Sequence, residues 1–64
     1  MTMPCERTRA VNNTRQFLVD LQSDLSVPEA VRKEASRCLR HYPGEYYMEL
    51  SQEHLPEVWG EPNE

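Results

Sequence analysis

The sequence predicts an all-α protein: an antiparallel two-helix hairpin, about 4–23 and 27–42, followed by a short third helix, about 45–54, and an aromatic C-terminal turn. Apolar side chains recur at helical spacing, as Val11, Leu18, Leu21 and Leu25 in one segment and Val31, Ala35, Cys38 and Leu39 in the next. Pro4, Pro28, Pro43 and Gly44 fall where helices start or stop. No alternating apolar–polar run is long enough to suggest a strand.

The first helix starts at Pro4, because a first helical residue tolerates proline: the N–H it lacks would have had no partner there. Glu6 follows in the first turn, where the helix dipole favours an anion. Val11, Thr14, Leu18, Leu21 and Leu25 then return at spacings of 3, 4, 3 and 4, and Ala10 and Phe17 widen that face. In the stretch "SVPE" at 26–29, Ser26 and Glu29 have the spacing of a reciprocal capping box, with Pro28 harmless in the first turn. The second helix carries Val27, Val31, Ala35, Cys38, Leu39 and Tyr42 on one side, and Glu29, Lys33 and Arg37 on another. "YPG" at 42–44 stops it, since a residue before proline avoids the helical region. The short connection predicts that the two helices pack as a hairpin.

In the third segment Tyr46, Tyr47, Leu50 and His54 fall on one side, with Glu45, Glu49 and Glu53 beside it. Pro56 interrupts the helix, and Val58 and Trp59 are expected to fold back on the hairpin. Tyr47 and Trp59 are expected inward and Tyr46 outward, while residues 61–64 read as a frayed tail.

Sixty-four residues suggest a single small domain, 1–64, whose core is thin, because a chain of this size hides only about 60% of its unfolded surface. Cys5 and Cys38 are too few for a disulfide framework, so free thiols are expected. There is neither an apolar run of membrane-crossing length nor a charged-then-apolar leader, which points to the cytoplasm and away from membranes.

The net charge of −4 hides an asymmetry. Residues 1–40 hold all seven basic side chains against five acids, a balance of +2; residues 41–64 hold six glutamates and no lysine or arginine, a balance of −6. Such a division bears on partners rather than on fold. The candidates for partner binding are Glu45, Tyr46, Glu49, Glu53 and Trp59 on the acidic, aromatic side, and Lys33, Arg37 and Arg40 on the basic side. Tyrosine and tryptophan are enriched at interface hot spots.

Other chemistries are weaker. Cys38 and His41 stand three apart on one helix, and Cys5 or His54 would have to join them to hold zinc; Cys38 also lies on the apolar face, where cysteine behaves as a small hydrophobe. The same pair lacks an orienting acid, an oxyanion hole and a pocket, so no enzyme activity and no cofactor are expected. A helix-turn-helix reading would use Arg32, Lys33, Arg37 and Arg40 on phosphates, but the overall acidity and the absence of a glycine-bearing turn between helices one and two oppose nucleic acid.

The stretches "MTMPCERTRAVNNTRQFL" and "VPEAVRKEASRCLRHYP" resemble a family of short uncharacterised bacterial proteins that open M-T-M-P-x-E-R-T-R-A-V and carry a central L-R-H-Y-P. Glu6, Arg7, Arg9, Arg15, His41 and Pro43 occupy its distinctive positions. The resemblance implies a small bacterial domain, of mobile-element origin in one reading, and brings no activity with it. Arg7 stands on the Val11–Leu18 side of the first helix, where an apolar residue is expected. A snorkelling arginine there calls for a carboxylate, and Glu45 or Glu49 are the candidates.

The function expected from the sequence is a non-enzymatic protein–protein interaction module that self-associates through helix faces as a homodimer. The alternative is a small phage- or mobile-element-encoded inhibitor that docks its acidic, aromatic C-terminal segment on a larger host protein.

Overall fold

Proline opens the first helix. α1 spans Pro4–Gln22, with the Met3 carbonyl accepting from the N–H groups of Glu6 and Arg7 and the Glu6 carboxylate accepting from the Met3 N–H at 3.0 Å. The structure, a computed structural model, describes residues 2–62; of the expected frayed tail, 63 and 64 lie outside the described residues. Within them the chain is three helices and no strand, α1 followed by α2 (Glu29–Leu39) and α3 (Glu45–His54).

The entry to α2 differs from the expected capping box. Pro28 is its N-cap and its carbonyl accepts from Val31 and Arg32. Ser26, two residues further out, instead donates its hydroxyl to Asp24 Oδ1 at 2.6 Å and its N–H to the same oxygen at 2.9 Å. The hydroxyl bond first, then the N–H bond, holds the Asp24 carboxyl below its ordinary 3.8. α2 also ends sooner than predicted, at Leu39; Tyr42, held before Pro43, has left the helix and closes a turn onto the Leu39 carbonyl.

At 1.5 Å per residue, the 19 residues of α1 run about 28 Å and the 11 of α2 only about 16 Å. α2 therefore covers one part of α1 and leaves the rest to α3 and the C-terminal segment. α1 and α2 are the closely packed pair, with Ala35 buried between them. The Tyr42 hydroxyl donates to the Val11 carbonyl at 3.2 Å and ties the end of the hairpin. α3 lies along the N-terminal half of α1: Glu45 shares a cleft with Asn12 and Arg15, while Gln52 and Glu53 share another with Met3 and Pro4.

After α3 the chain turns, with the N–H groups of Val58 and Trp59 on the Leu55 carbonyl, and returns over the start of α1. Gly60 lies so close there that a Cβ on it would stand 2.7 Å from the Cys5 backbone nitrogen. A backbone atom cannot move aside cheaply, so this crossing requires glycine.

Among the described residues the buried side chains are few: Cys5, Thr8, Ala35 and Met48. Thr8, fully buried, donates its hydroxyl to the Pro4 carbonyl at 3.2 Å. Val11 and Leu18, expected in the core, are half-buried, whereas Val31 and Cys38 are exposed. On a helix Val31 and Cys38 sit on one side of Ala35, and Arg32 and Leu39 on the other. Arg32 and Leu39 are the half-buried pair, so α2 is turned a few tens of degrees from the face its apolar residues suggest.

Candidate interaction surfaces

That turn leaves an open apolar groove between α1 and α2. Leu18 and Leu21 line it from one helix, and Ala30, Val31, Ala35 and Cys38 from the other, around a volume of about 450 Å³. The one charged liner, Glu34, is bound by Arg37 of the next turn, with Arg37 Nε 3.0 Å from Glu34 Oε1. The Arg37 hydrogen bond, and then its charge, hold the Glu34 carboxyl below its ordinary 4.5. Phe17, one turn before Leu21 on α1, is exposed beside the groove.

The second surface is the outer side of α3. Tyr46 and Tyr47 are 67% and 63% exposed, with their rings edge to face at 5.3 Å. Leu50, Leu55 and Val58 are exposed as well. Tyr46 is thus outward as expected, but Tyr47 is outward too. The side of α3 that turns to α1 is marked by Met48, only 4% exposed, with Gln52 one turn on. Met48 shares a cleft with Asn12 of α1, and a single long, unbranched side chain fits there where tyrosine rings would hold the helices apart.

The acidic candidates take a third position. Glu49 and Glu53 line a cleft of about 470 Å³ with Glu61, Trp59, Met3 and Pro4. Trp59 is half-buried, facing this cleft and the start of α1. Glu45 stands at the other end of α3, in the shallow cleft it shares with Arg15, where the two form no ion pair. The stripe of glutamates therefore runs along the flank of α3 that faces the tail and α1, beside the tyrosine face.

Arg7 clasps the ends of the chain. Its Nε donates to the Val58 carbonyl at 2.9 Å and its Nη2 to the Glu57 carbonyl at 3.1 Å. Its Nη1 donates to the carbonyl and the hydroxyl of Thr2, at 2.6 and 3.0 Å. The expected carboxylate partner, Glu45 or Glu49, is replaced by backbone: the turn after α3 presents carbonyls with no helical N–H to use them, and a planar fork with five donors suits several at once. Arg9 joins in, donating to the Pro62 carbonyl at 3.1 Å; Pro62 is half-buried.

The basic candidates do not meet the acidic ones. Lys33 pairs with Glu29 at 3.3 Å and Arg37 with Glu34, so both ion pairs among the described residues lie within α2. Arg40 caps the C-terminus of α2 and is exposed, as are His41 and Cys38. Cys5 is buried at the start of α1. Among the described residues, no three His, Cys, Asp or Glu side chains converge to share an ion, and no helix is long and apolar enough to cross a membrane.

No protein-family model, curated protein or solved structure matches this chain. Its motif residues nonetheless have structural places. Pro4 starts α1, Glu6 caps it, Arg7 and Arg9 hold the C-terminal segment, and His41 and Pro43 form the break between α2 and α3. Reading apolar periodicity alone misses Thr8, Met48 and Gly60, and also misses the open groove. The spacing of Cys5, Thr8 and Asn12 is helical too, but small and polar side chains carry it.

Proposed function

We propose that this chain is a non-enzymatic interaction module of the cytoplasm whose partner is a second copy of itself. The observation that carries this reading is surface area. The chain exposes 5046 Å². A folded monomer of 7.5 kDa should expose about 4,200 Å² by the usual scaling with mass. The excess, about 800 Å², is close to what one partner buries in a standard protein–protein interface. Apolar side chains contribute to it: among the described residues nine large hydrophobic side chains are exposed, and the buried apolar core is Cys5, Ala35 and Met48.

Sedimentation equilibrium on the full chain tests this reading. The expected result is a mass near twice 7.5 kDa at micromolar concentration, falling toward one chain on dilution. A single-chain mass at every concentration overturns it.

The outward tyrosine pair of α3, with an acidic flank and no lysine or arginine after Arg40, favours a second reading: docking on a heterologous protein with an apolar groove rimmed by lysine and arginine. Charge separates the two. Binding of that kind weakens steeply as salt rises, whereas self-association through apolar surface does not.

A further inference from the structure

Two exposed apolar surfaces compete for the contact between copies: the α1–α2 groove and the outer face of α3. Building on the self-association proposed above, we infer that two copies meet groove to groove, related by a twofold axis, so that two hairpins close into a four-helix layer. The tyrosine face of α3 stays outside the contact.

Charge disfavours the alternative. A twofold contact pairs one patch with itself. Pairing α3 with α3 brings the exposed glutamates that flank the tyrosine face, Glu45, Glu49 and Glu53, near those of the second copy, and among the described residues Arg15, beside Glu45, is the one basic neighbour sharing a cleft with them. The basic side chains of α2 are poorly placed to help, since Lys33 and Arg37 are already bound to Glu29 and Glu34 and Arg32 donates to the Val27 carbonyl. At the groove the balance is different. Its one charged liner, Glu34, is neutralised by Arg37 on the same helix, so a second copy meets no net repulsion.

Shape points the same way. A self-paired surface must carry both a ridge and a hollow that fits it. The groove is the hollow, walled by leucines on α1 and lined on α2 by the small side chains of Ala30, Ala35 and Cys38 with the larger Val31 beside them. Phe17, 62% exposed and one helical turn before the groove-lining Leu21, supplies the ridge in this pairing. The rotation of α2 that leaves Val31 and Cys38 exposed supplies the rest of the apolar surface.

Sedimentation of variants decides the matter. Val31 and Ala30 are exposed in the single chain, so Val31→Glu and Ala30→Glu should keep the helical circular dichroism of the parent. Each should weaken the dimer by about 100-fold or more, because each buries an unpaired charge at the contact. Phe17→Ala should weaken it by about tenfold, and Tyr47→Glu should leave it unchanged. If the parent dimerises and the groove variants dimerise equally well, or if Tyr47→Glu dissociates it, the groove assignment is wrong and self-association survives. If the parent is a monomer, self-association itself fails and the assignment with it.

Discussion

Arg7 occupies a position that an amphipathic helix would give to an apolar side chain, and the structure explains why an arginine serves there. Its guanidinium binds carbonyls of Thr2, Glu57 and Val58, joining stretches some fifty residues apart in sequence. Hydrogen bonds to a charged group contribute more than neutral ones, so Arg7→Ala should cost about 1–2 kcal/mol, or about 5–10 °C of melting temperature in a domain this small. Arg9→Ala should cost less, because the Pro62 carbonyl that Arg9 holds lies nearer the end of the chain than Glu57 and Val58. Arg7→Lys should melt like Arg7→Ala, since an ammonium lacks the planar fork that spans two neighbouring carbonyls. Thermal melts of the three variants check this, and full rescue by lysine contradicts it. The sequence marks Arg7 as unusual but does not name its partners. A carboxylate can be sought by residue type, whereas any residue offers a carbonyl, and only the fold selects Glu57 and Val58.

α1 and α3 begin and end where the sequence predicts, because Pro4, the "YPG" break and Pro56 act through local backbone sterics that tertiary contacts do not override. The faces that these helices bury are less legible. For α3 the three largest apolar residues, Tyr46, Tyr47 and Leu50, share the side that turns outward, and Met48 alone anchors the other. Counting apolar residues assigns the wrong side, because it ignores what α1 presents: Cys5, Thr8 and Asn12 leave a narrow strip that suits one flexible side chain. For α2, Ala35 sets the line of closest approach and the larger Val31 is displaced from it. Met48→Ala should therefore lower stability by about 2–4 kcal/mol and release α3, whereas Tyr47→Ala should change stability by less than about 0.5 kcal/mol. Amide hydrogen exchange resolves the first effect by helix: in Met48→Ala, protection should fall first across Glu45–His54. Uniform loss over all three helices would show α3 to be part of one cooperative unit with the hairpin.

The whole chain combines a thin core with a divided charge. Its extents are 39 × 20 × 18 Å, elongated because α2 and α3 lie one after the other along α1 instead of stacking on it. Such an arrangement gives every helix a covered side and an open one, and most of the open apolar surface falls at the α1–α2 groove and on α3. The charge asymmetry is plain in the sequence, but its consequence is not. Lys33 and Arg37 of α2 pair within their own helix, Arg32 donates to the Val27 carbonyl before it, and the glutamates of α3 stay exposed. The proposed groove-to-groove pairing keeps those glutamates apart. Cys38 lines the groove and is exposed in the single chain, while Cys5 is buried whatever the association state. The rate of iodoacetamide alkylation at Cys38, followed against protein concentration with Cys5 as internal reference, reads this surface. Groove-to-groove pairing predicts rapid labelling of Cys38 in dilute protein that slows as the concentration rises through the dissociation constant, and a Cys38 rate independent of concentration in protein that sediments as a dimer contradicts it.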